Sequence, residues 1–451
     1  MVTLRHPGPV EREHARLQRP TQGVLERTAL VVVAHDRVES VRVCLSGVVA
    51  LPESRRLAAL AVSVDAPGAF EAIEAVARDV APSARVWRHA YARRVAGKFG
   101  GTALARVSEH VFAAVEAGFS ETGANWTIVL EDDLRVAGDF FRVFELGATA
   151  RDAWCASAWN DNAARGGSWR PEAFQRTQYF PGLGWMVSRR VWAELRAVWP
   201  PAPTTGWDHW IRAASPARRG VCVFPEVPRV RHARTPRSVN VGAAQAIELE
   251  RFEFWDAPPG TPSPLLPPEP RDVYDARLAQ NVRDATTHLV VADIPADLPA
   301  LSASLGLWPT DLRGDYRGLV VARRPFNQTV LVADDRRCDF LPSTLRRLLP
   351  AAARFIPAAR AQSCDDACGG EHHLRCRDDL LPFADDCDVL KAHFPCEAGC
   401  GHQIGPDLPV YVDDPAQPTH RQCLLANRGG VRPTCAAKHQ STSRLCVCSP
   451  S

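Results

Sequence analysis

Residues 126–141 read WTIVLEDDLRVAGDFF, and the fold turns on how they are read. The apolar run 126–130 has the pattern of a buried strand. Glu131, Asp132 and Asp133 follow it without a gap. Asp139 is placed to cap a helix that begins with Phe140, Phe141 and Phe144 on one side. Three carboxylates at one strand end repel one another, and a divalent cation among their oxygens would relieve that repulsion. A solvated strand-to-helix turn would present the same residues. The stretch alone leaves both readings open.

The chain upstream supplies the setting. Residues 29–35 (ALVVVAH) form a continuous apolar run, as in a strand covered on both faces, and Asp36-Arg37 closes it. Val41, Leu45 and Val48 then recur at helical spacing. A second strand, 60–64, ends in Asp65, and residues 71–77 read as helix. Residues 85–87 suit a short third strand, and Leu104, Val107, Val111, Ala114 and Val115 make an amphipathic stripe. This alternation predicts a mostly parallel α/β sheet with its chemistry at the C-terminal strand ends. Three such ends carry charge: Asp36-Arg37, Asp65 and Glu131-Asp132-Asp133. No Gly-x-Gly-x-x-Gly follows the first strand and no Walker-type loop occurs, so dinucleotide and P-loop chemistry drop away.

Downstream, residues 154–159 read as a strand followed by Asn160-Asp161-Asn162. A glycine loop, Phe180-Pro181-Gly182-Leu183-Gly184, runs into a strand at Trp185, and a helix carries Val191, Trp192 and Leu195. Trp207-Asp208-His209-Trp210 sets one carboxylate between tryptophans. Such a pattern suits sugar stacking, or a core with a structural acid. As a general base, Asp208 would gain from apolar neighbours that raise its pKa. Arg229, Arg231, His232, Arg234 and Arg237 suit either a lid over a diphosphate or a solvated basic loop.

A chain of 451 residues suggests two or three domains. The net charge of +3 points to no bulk partner of either sign, and in particular to no nucleic acid. The boundaries read as a disordered tail or stem over 1–27, a catalytic domain over 28–256 and a Pro-rich linker over 257–271. A small mixed domain over 272–345 and a Cys-rich module over 360–449 follow. Ten of the fourteen cysteines fall in that last module, which predicts disulfides and an oxidising compartment over a zinc site with His372, His373 and His402. No apolar leader or membrane span is visible, so an export or anchor segment is expected outside this chain. Asn327-Gln328-Thr329 is a sequon that fits a secretory route.

Residues 28–256 resemble the catalytic domain of the family 13 glycosyltransferases. The runs that match, in order, are Val62-Ser63-Val64-Asp65, Glu131-Asp132-Asp133-Leu134, Ser157 through Asn162, Phe180 through Trp185, Trp207 through Arg212, and Pro225-Glu226. The resemblance implies an α/β fold of GT-A type, UDP-GlcNAc as donor, Mn2+ (or Mg2+) and inversion at the anomeric carbon. It implies Asp133 as metal ligand, with Glu131 and Asp132 on the donor's sugar and ribose. Arg37 and Asp65 would lie on the uridine side, and Asp208 would be the general base. The loop with Arg234 and Ser238 would close over the donor. Cys155 and Cys222 match a family disulfide pair. His209 stands where some members have a second acid, Ala96 replaces a histidine before Lys98-Phe99, and His35 and Ala66 replace another cysteine pair. The cysteine order of the tail resembles the C-terminal region of N-acetylglucosaminyltransferase V.

The function expected is β-1,2 transfer of GlcNAc to a mannose of a glycoprotein N-glycan, in the Golgi. The alternatives are transfer to O-linked mannose, or a glycan-binding relative without catalysis.

Overall fold

The computed structural model describes residues 23–89, 103–199, 206–213, 220–233, 251–284, 288–293, 297–308, 311–326, 328–370, 374–426 and 431–450. Two compact units are distinguished: residues 1–199, 216–278 and 323–328, and residues 200–215, 279–322 and 329–451.

The first unit is built on strand β1 (Thr28–Ala34), whose seven residues are all buried, as its unbroken apolar sequence demands. Helix α1 (Val38–Val49) follows and buries Val41, Cys44, Leu45 and Val48. Strand β2 (Ala59–Val64), helix α2 (Phe70–Val80), strand β3 (Arg85–Arg88) and helix α3 (Ala103–Ser120) lead to β4 (Trp126–Glu131). β2 and β4 flank β1 and run parallel to it, and β3 adds to β2 in the same sense. The C-terminal ends of β1, β2 and β4 therefore lie side by side, and they carry the charged residues.

A short strand β5 (Leu134–Val136) and helix α4 (Phe140–Gly147) come next, then β6 (Ala153–Ser157), β7 (Phe174–Thr177), β8 (Trp185–Ser188) and helix α5 (Arg189–Val198). Helix α6 (Trp207–Ala213) belongs to the second unit. β9 (Val221–Pro225) and β10 (Val230–His232) return to the first. The eight-stranded sheet has the order β3-β2-β1-β4-β8-β6-β9-β7. Its first four strands are parallel. β8 is antiparallel to both β4 and β6, and β9 pairs parallel to β6. The sheet is thus mixed, as expected of the fold. Cys155 and Cys222 face each other in the β6–β9 ladder and are joined in a disulfide. Gly184, just before β8, has φ +56°, and a Cβ there would sit 2.9 Å from Val230 Cγ1. Only glycine meets both conditions without strain.

One expectation is corrected. Asp139 precedes α4 but makes no side-chain cap. It accepts instead from Arg229 Nε, at 3.1 Å, and from Ser263 Oγ, at 2.6 Å. A full guanidinium charge outcompetes a neutral cap for a buried carboxylate. The Pro-rich stretch is anchored by hydrogen bonds. Ala257 accepts from the Gly138 amide, Leu266 donates to Glu172 O, and Glu269 O accepts from Arg176, so the Pro-rich stretch lies along the first unit. The compact units accordingly cut the chain at other points than the sequence boundaries do.

The second unit contains helix α7 from residue 279 onwards (Arg271–Arg283 in full), β11 (His288–Ala292), α8 (Leu298–Leu305), β12 (Leu319–Arg324) as far as residue 322, and β13 (Gln328–Asp334) from residue 329. Its three-stranded sheet has the order β11-β13-β12. The Cys-rich part adds β14 (Arg354–Pro357), α9 (Cys364–Gly369), β15 (Arg375–Cys376), α10 (Cys387–Lys391), β16 (Cys400–Gln403), β17 (Val410–Val412), β18 (Cys423–Ala426) and β19 (Thr442–Ser449). Its ten cysteines form five disulfides: 364–446, 368–448, 376–435, 387–400 and 396–423. The expected disulfides are therefore present, and the thiolates that a zinc site would need are engaged in them. No helix among the described residues is long and apolar enough to cross a membrane.

Arg229 is fully buried and bonded to Asp139, Val227 O and Pro171 O. Removing it leaves a buried carboxylate without its counter-charge. Arg229→Met is expected to lower the unfolding free energy by about 3 to 5 kcal/mol, read from urea unfolding. A loss below about 1 kcal/mol would show that the pair contributes no more than an exposed one.

Candidate active site

β4 ends at Glu131, and the chain turns through Asp132 and Asp133 into β5. Arg37, just beyond the end of β1, reaches across. Its Nη1 donates to Asp133 Oδ2 at 2.8 Å and its Nη2 donates to Asp132 Oδ1. Both acids are buried, while the guanidinium side chain keeps one fifth of its surface. Burial, with repulsion from Asp133, pushes the Asp132 carboxyl up to about 7 despite Arg37. Asp132 Oδ2 and Asp133 Oδ1 are buried and take no hydrogen bond among the described residues. Two unpartnered carboxylate oxygens beside a third acid fit a hard divalent cation such as Mn2+ or Mg2+.

β5 pairs antiparallel with β10, setting His232 opposite Leu134. The Ala233 amide donates to Asp133 O at 2.7 Å, and His232 Nε2 lies 3.3 Å from Asp133 Oδ2.

Beside this cluster, at the end of β2, Asp65 is buried between two histidines. His35 Nδ1 is 2.6 Å from Asp65 Oδ1, and His110 Nδ1 is 3.5 Å from Asp65 Oδ2. His110 Nε2 pairs with Ser63 Oγ at 2.9 Å, and its ring stacks on His89 with centroids 5.4 Å apart. Burial outweighs the pull of Asp65 and lowers His110 to about 4, so the ring is neutral near pH 7.

The family runs further along the chain are structural in large part. Trp159, Trp185, Trp192 and Trp207 are core residues. Trp159 Nε1 donates to Asp161, and Asn160 Nδ2 donates to Glu226 O. Glu226 has no exposed surface and receives both Arg170 and Arg323.

Asp208, on α6, belongs to the second unit. Its expected electrostatics are overturned. Burial would raise the carboxyl, but Arg212, at 2.7 Å, and His209 hold it below its ordinary value. The apolar neighbours are present but the nearer cation decides the sign.

The structure thus brings together Arg37, Glu131, Asp132 and Asp133, with Asp65 on the neighbouring strand end. Arg37, expected on the uridine side, is engaged with the two aspartates. The basic loop divides: Arg229 is a core residue, Arg231 stacks on Phe254, and His232 meets Asp133. Arg234, Arg237, Ser238, Ala96, Lys98, Phe99, His372, His373 and Asn327 lie outside the described residues. Two features went unread in the sequence. His232 passed as one more basic residue. His110 sits three residues after Val107 on the apolar stripe of α3, and that placement was the available signal.

The model of the GNT-I family matches residues 3–242. Over 132 residues the chain is 37% identical to an Arabidopsis thaliana protein named alpha-1,3-mannosyl-glycoprotein 2-beta-N-acetylglucosaminyltransferase. That match covers 28% of this chain and 29% of the relative, so the chain spans less than a third of the relative's length. Among solved structures, a mannosyltransferase from Pyrobaculum calidifontis in complex with GDP-Man and Mn2+ is 14% identical, with a TM-score of 0.29, over 48% of this chain and 64% of its own. S. aureus TarS is 8% identical, with a TM-score of 0.32, over 46% and 60%.

The buried, neutral His110 makes stability depend on pH. The unfolded chain binds a proton near the ordinary value of 6.5, which the folded protein refuses until about 4. Acid therefore favours unfolding. This group's contribution is complete above about pH 6.5 and falls by up to about 3 kcal/mol as pH drops towards 4. Urea unfolding of wild type and His110→Gln across that window should show a flatter pH profile for the variant. Parallel profiles would place the titration elsewhere.

Proposed function

The chain belongs to the GNT-I family, and on that premise we propose that it transfers N-acetylglucosamine from UDP-GlcNAc to a mannose of a glycoprotein glycan, with inversion and with a divalent cation. The observation that carries this reading is the pair of unpartnered, buried oxygens on Asp132 and Asp133 at the end of β4. They lie within a sheet of the GT-A type. The five disulfides of the second unit support residence in the secretory pathway, and we assign the work to the Golgi.

Asp133, with Asp132 beside it, would hold the cation. When bound, that ion supplies charge neutralisation for the departing diphosphate. Glu131 and Asp132 offer acceptors to the hydroxyls of the donor's sugar and ribose. Asp65 offers a fixed acceptor at the neighbouring strand end, where His35 and His110 orient its carboxylate. Arg234 and Ser238 are assigned to the loop that closes over the donor.

Inversion is one displacement. The acceptor hydroxyl oxygen bonds to the anomeric carbon as the bond to UDP breaks, and the hydroxyl proton passes to Asp208. Arg212 and His209 keep Asp208 ionised, so it accepts that proton without prior deprotonation. The same pair makes it a weaker base than an apolar pocket would.

Transfer is assayed by mass with UDP-GlcNAc, Mn2+ and two acceptor sets, oligomannose N-glycans and O-mannosyl peptides. Wild type is expected to add one N-acetylhexosamine to the N-glycan set. Product on the peptides alone would move the acceptor to O-linked mannose. Asp133→Ala is expected to abolish Mn2+-dependent transfer with the fold intact by circular dichroism, and undiminished transfer would remove Asp133 from the cation site. Asp208→Asn should retain UDP binding and lose transfer by 100-fold or more, on the order of a general base's contribution. Persistent transfer would place the base on another residue.

A further inference from the structure

We propose that His232 ligates the divalent cation through Nε2, beside Asp133, and so makes the site selective for Mn2+ over Mg2+. The proposal rests on the reading of Asp133 as a cation ligand.

Backbone pairing fixes where His232 sits. The β5–β10 ladder places it opposite Leu134, the residue after Asp133, and the Ala233 amide donates to Asp133 O at 2.7 Å. The imidazole is therefore held against the Asp133 carboxylate by main-chain hydrogen bonds on both sides of it. Its side chain keeps 13% of its surface, little more than the acid's 4%.

The ring's hydrogen bonding sets its proton. Nδ1 lies 3.1 Å from Ala233 O, a carbonyl that can only accept, so Nδ1 carries the hydrogen. In the neutral ring, Nε2 then turns its lone pair towards Asp133 Oδ2, 3.3 Å away. Two lone pairs facing at that distance call for a positive centre between them, which a ring proton or a bound cation supplies. A histidine that donates one ring N–H to a backbone carbonyl and aims the other nitrogen at a carboxylate has the second-shell arrangement of a metal ligand. Neighbouring ligands of one octahedral ion, each about 2.1 Å from it, are about 3 Å apart, close to the separation seen.

Charge points the same way. Asp132 and Asp133 share the Arg37 guanidinium, and each keeps a buried oxygen without a hydrogen bond among the described residues. A dication fills that deficit. An imidazole among the ligands is accepted more readily by Mn2+, a first-row transition ion, than by Mg2+, which keeps water and oxygen ligands.

Mn2+ and Mg2+ binding to the full chain with saturating UDP are measured for wild type, His232→Ala, His232→Lys and Asp133→Asn. Pulsed electron paramagnetic resonance of bound Mn2+ is recorded on wild type, so one readout needs no variant to fold. The expected result is a directly coordinated nitrogen in wild type that changes isotope signature when histidine is labelled with 15N. His232→Ala should weaken Mn2+ binding about 10- to 100-fold and Mg2+ binding far less. His232→Lys, which keeps a cation but no lone pair at neutral pH, should not restore it. No nitrogen coupling in wild type, or full Mn2+ affinity in His232→Lys, overturns the ligand and leaves an ion-pair partner. In either case, lost binding in Asp133→Asn keeps the acid site. Undiminished binding in Asp133→Asn as well overturns the acid site itself.

Discussion

Two buried carboxylates on consecutive residues are the constraint around which the first unit is arranged. Asp132 and Asp133 form the turn that follows β4, and each would repel the other if left alone in so poorly solvated a place. Arg37 relieves this, but only because β1 lies next to β4 and runs the same way. An antiparallel β1 would carry Arg37 to the far edge of the sheet. The parallel order β2-β1-β4 therefore does two things. It hides three apolar strands, and it delivers one cation and one further acid, Asp65, to the same edge.

Two kinds of buried acid can be contrasted in this unit. Asp139 and Glu226 have both oxygens engaged, the first by Arg229 and Ser263, the second by Arg170 and Arg323. Burial alone would raise Glu226, yet the two arginines outweigh it and hold the group below its ordinary range. Such acids are fully satisfied and have no capacity for a ligand. Asp132 and Asp133 each keep an oxygen without a hydrogen bond among the described residues, and burial of such an atom costs free energy unless something else fills the position. Evolution tolerates that cost where a ligand removes it. The difference between the two kinds lies in hydrogen-bond accounting, which no count of acids in a sequence contains.

What could be read from the sequence follows the range of the interactions involved. The apolar runs of β1, β2 and β4 and the stripe on α3 are local patterns, and the structure has those elements within a few residues of their expected bounds. The charged strand ends were legible for the same reason. Arg37 on Asp133 spans 96 residues, and Arg229 on Asp139 spans 90. Neither pairing leaves a periodic trace. β5 and β10 are three residues each, too short to show alternation, so the ribbon that brings His232 to Asp133 was invisible. Asp208 shows the other failure. Its apolar flanks were visible and suggested a raised pKa, while Arg212, one helical turn later, reverses the sign. A helix spacing of four residues makes that pair predictable, and it deserved more weight than the tryptophans.

The second unit offers a comparison that isolates what sets the site apart. There too, parallel strands β11 and β13 end in acids, Asp293 after the first and Asp334 and Asp335 at the second. Three carboxylates again gather at one sheet edge. Here, however, two guanidiniums attend them. Arg347 lies 3.0 Å from Asp293 and 2.6 Å from Asp335, and Arg336 lies within 3.9 Å of all three acids. Arg336 also donates to Pro382 O and Arg347 to Asp379 O, so the same cations tie this edge to the Cys-rich part of the chain. These three acids also keep one buried oxygen each without a hydrogen bond among the described residues, so unpartnered oxygens occur where two arginines form a structural joint. At β4, Asp132 and Asp133 share Arg37, and an imidazole nitrogen of His232 faces Asp133. A cluster of acids at parallel strand ends is therefore no sign of a metal site by itself. At β4 the further observation is the imidazole nitrogen that backbone pairing holds against Asp133.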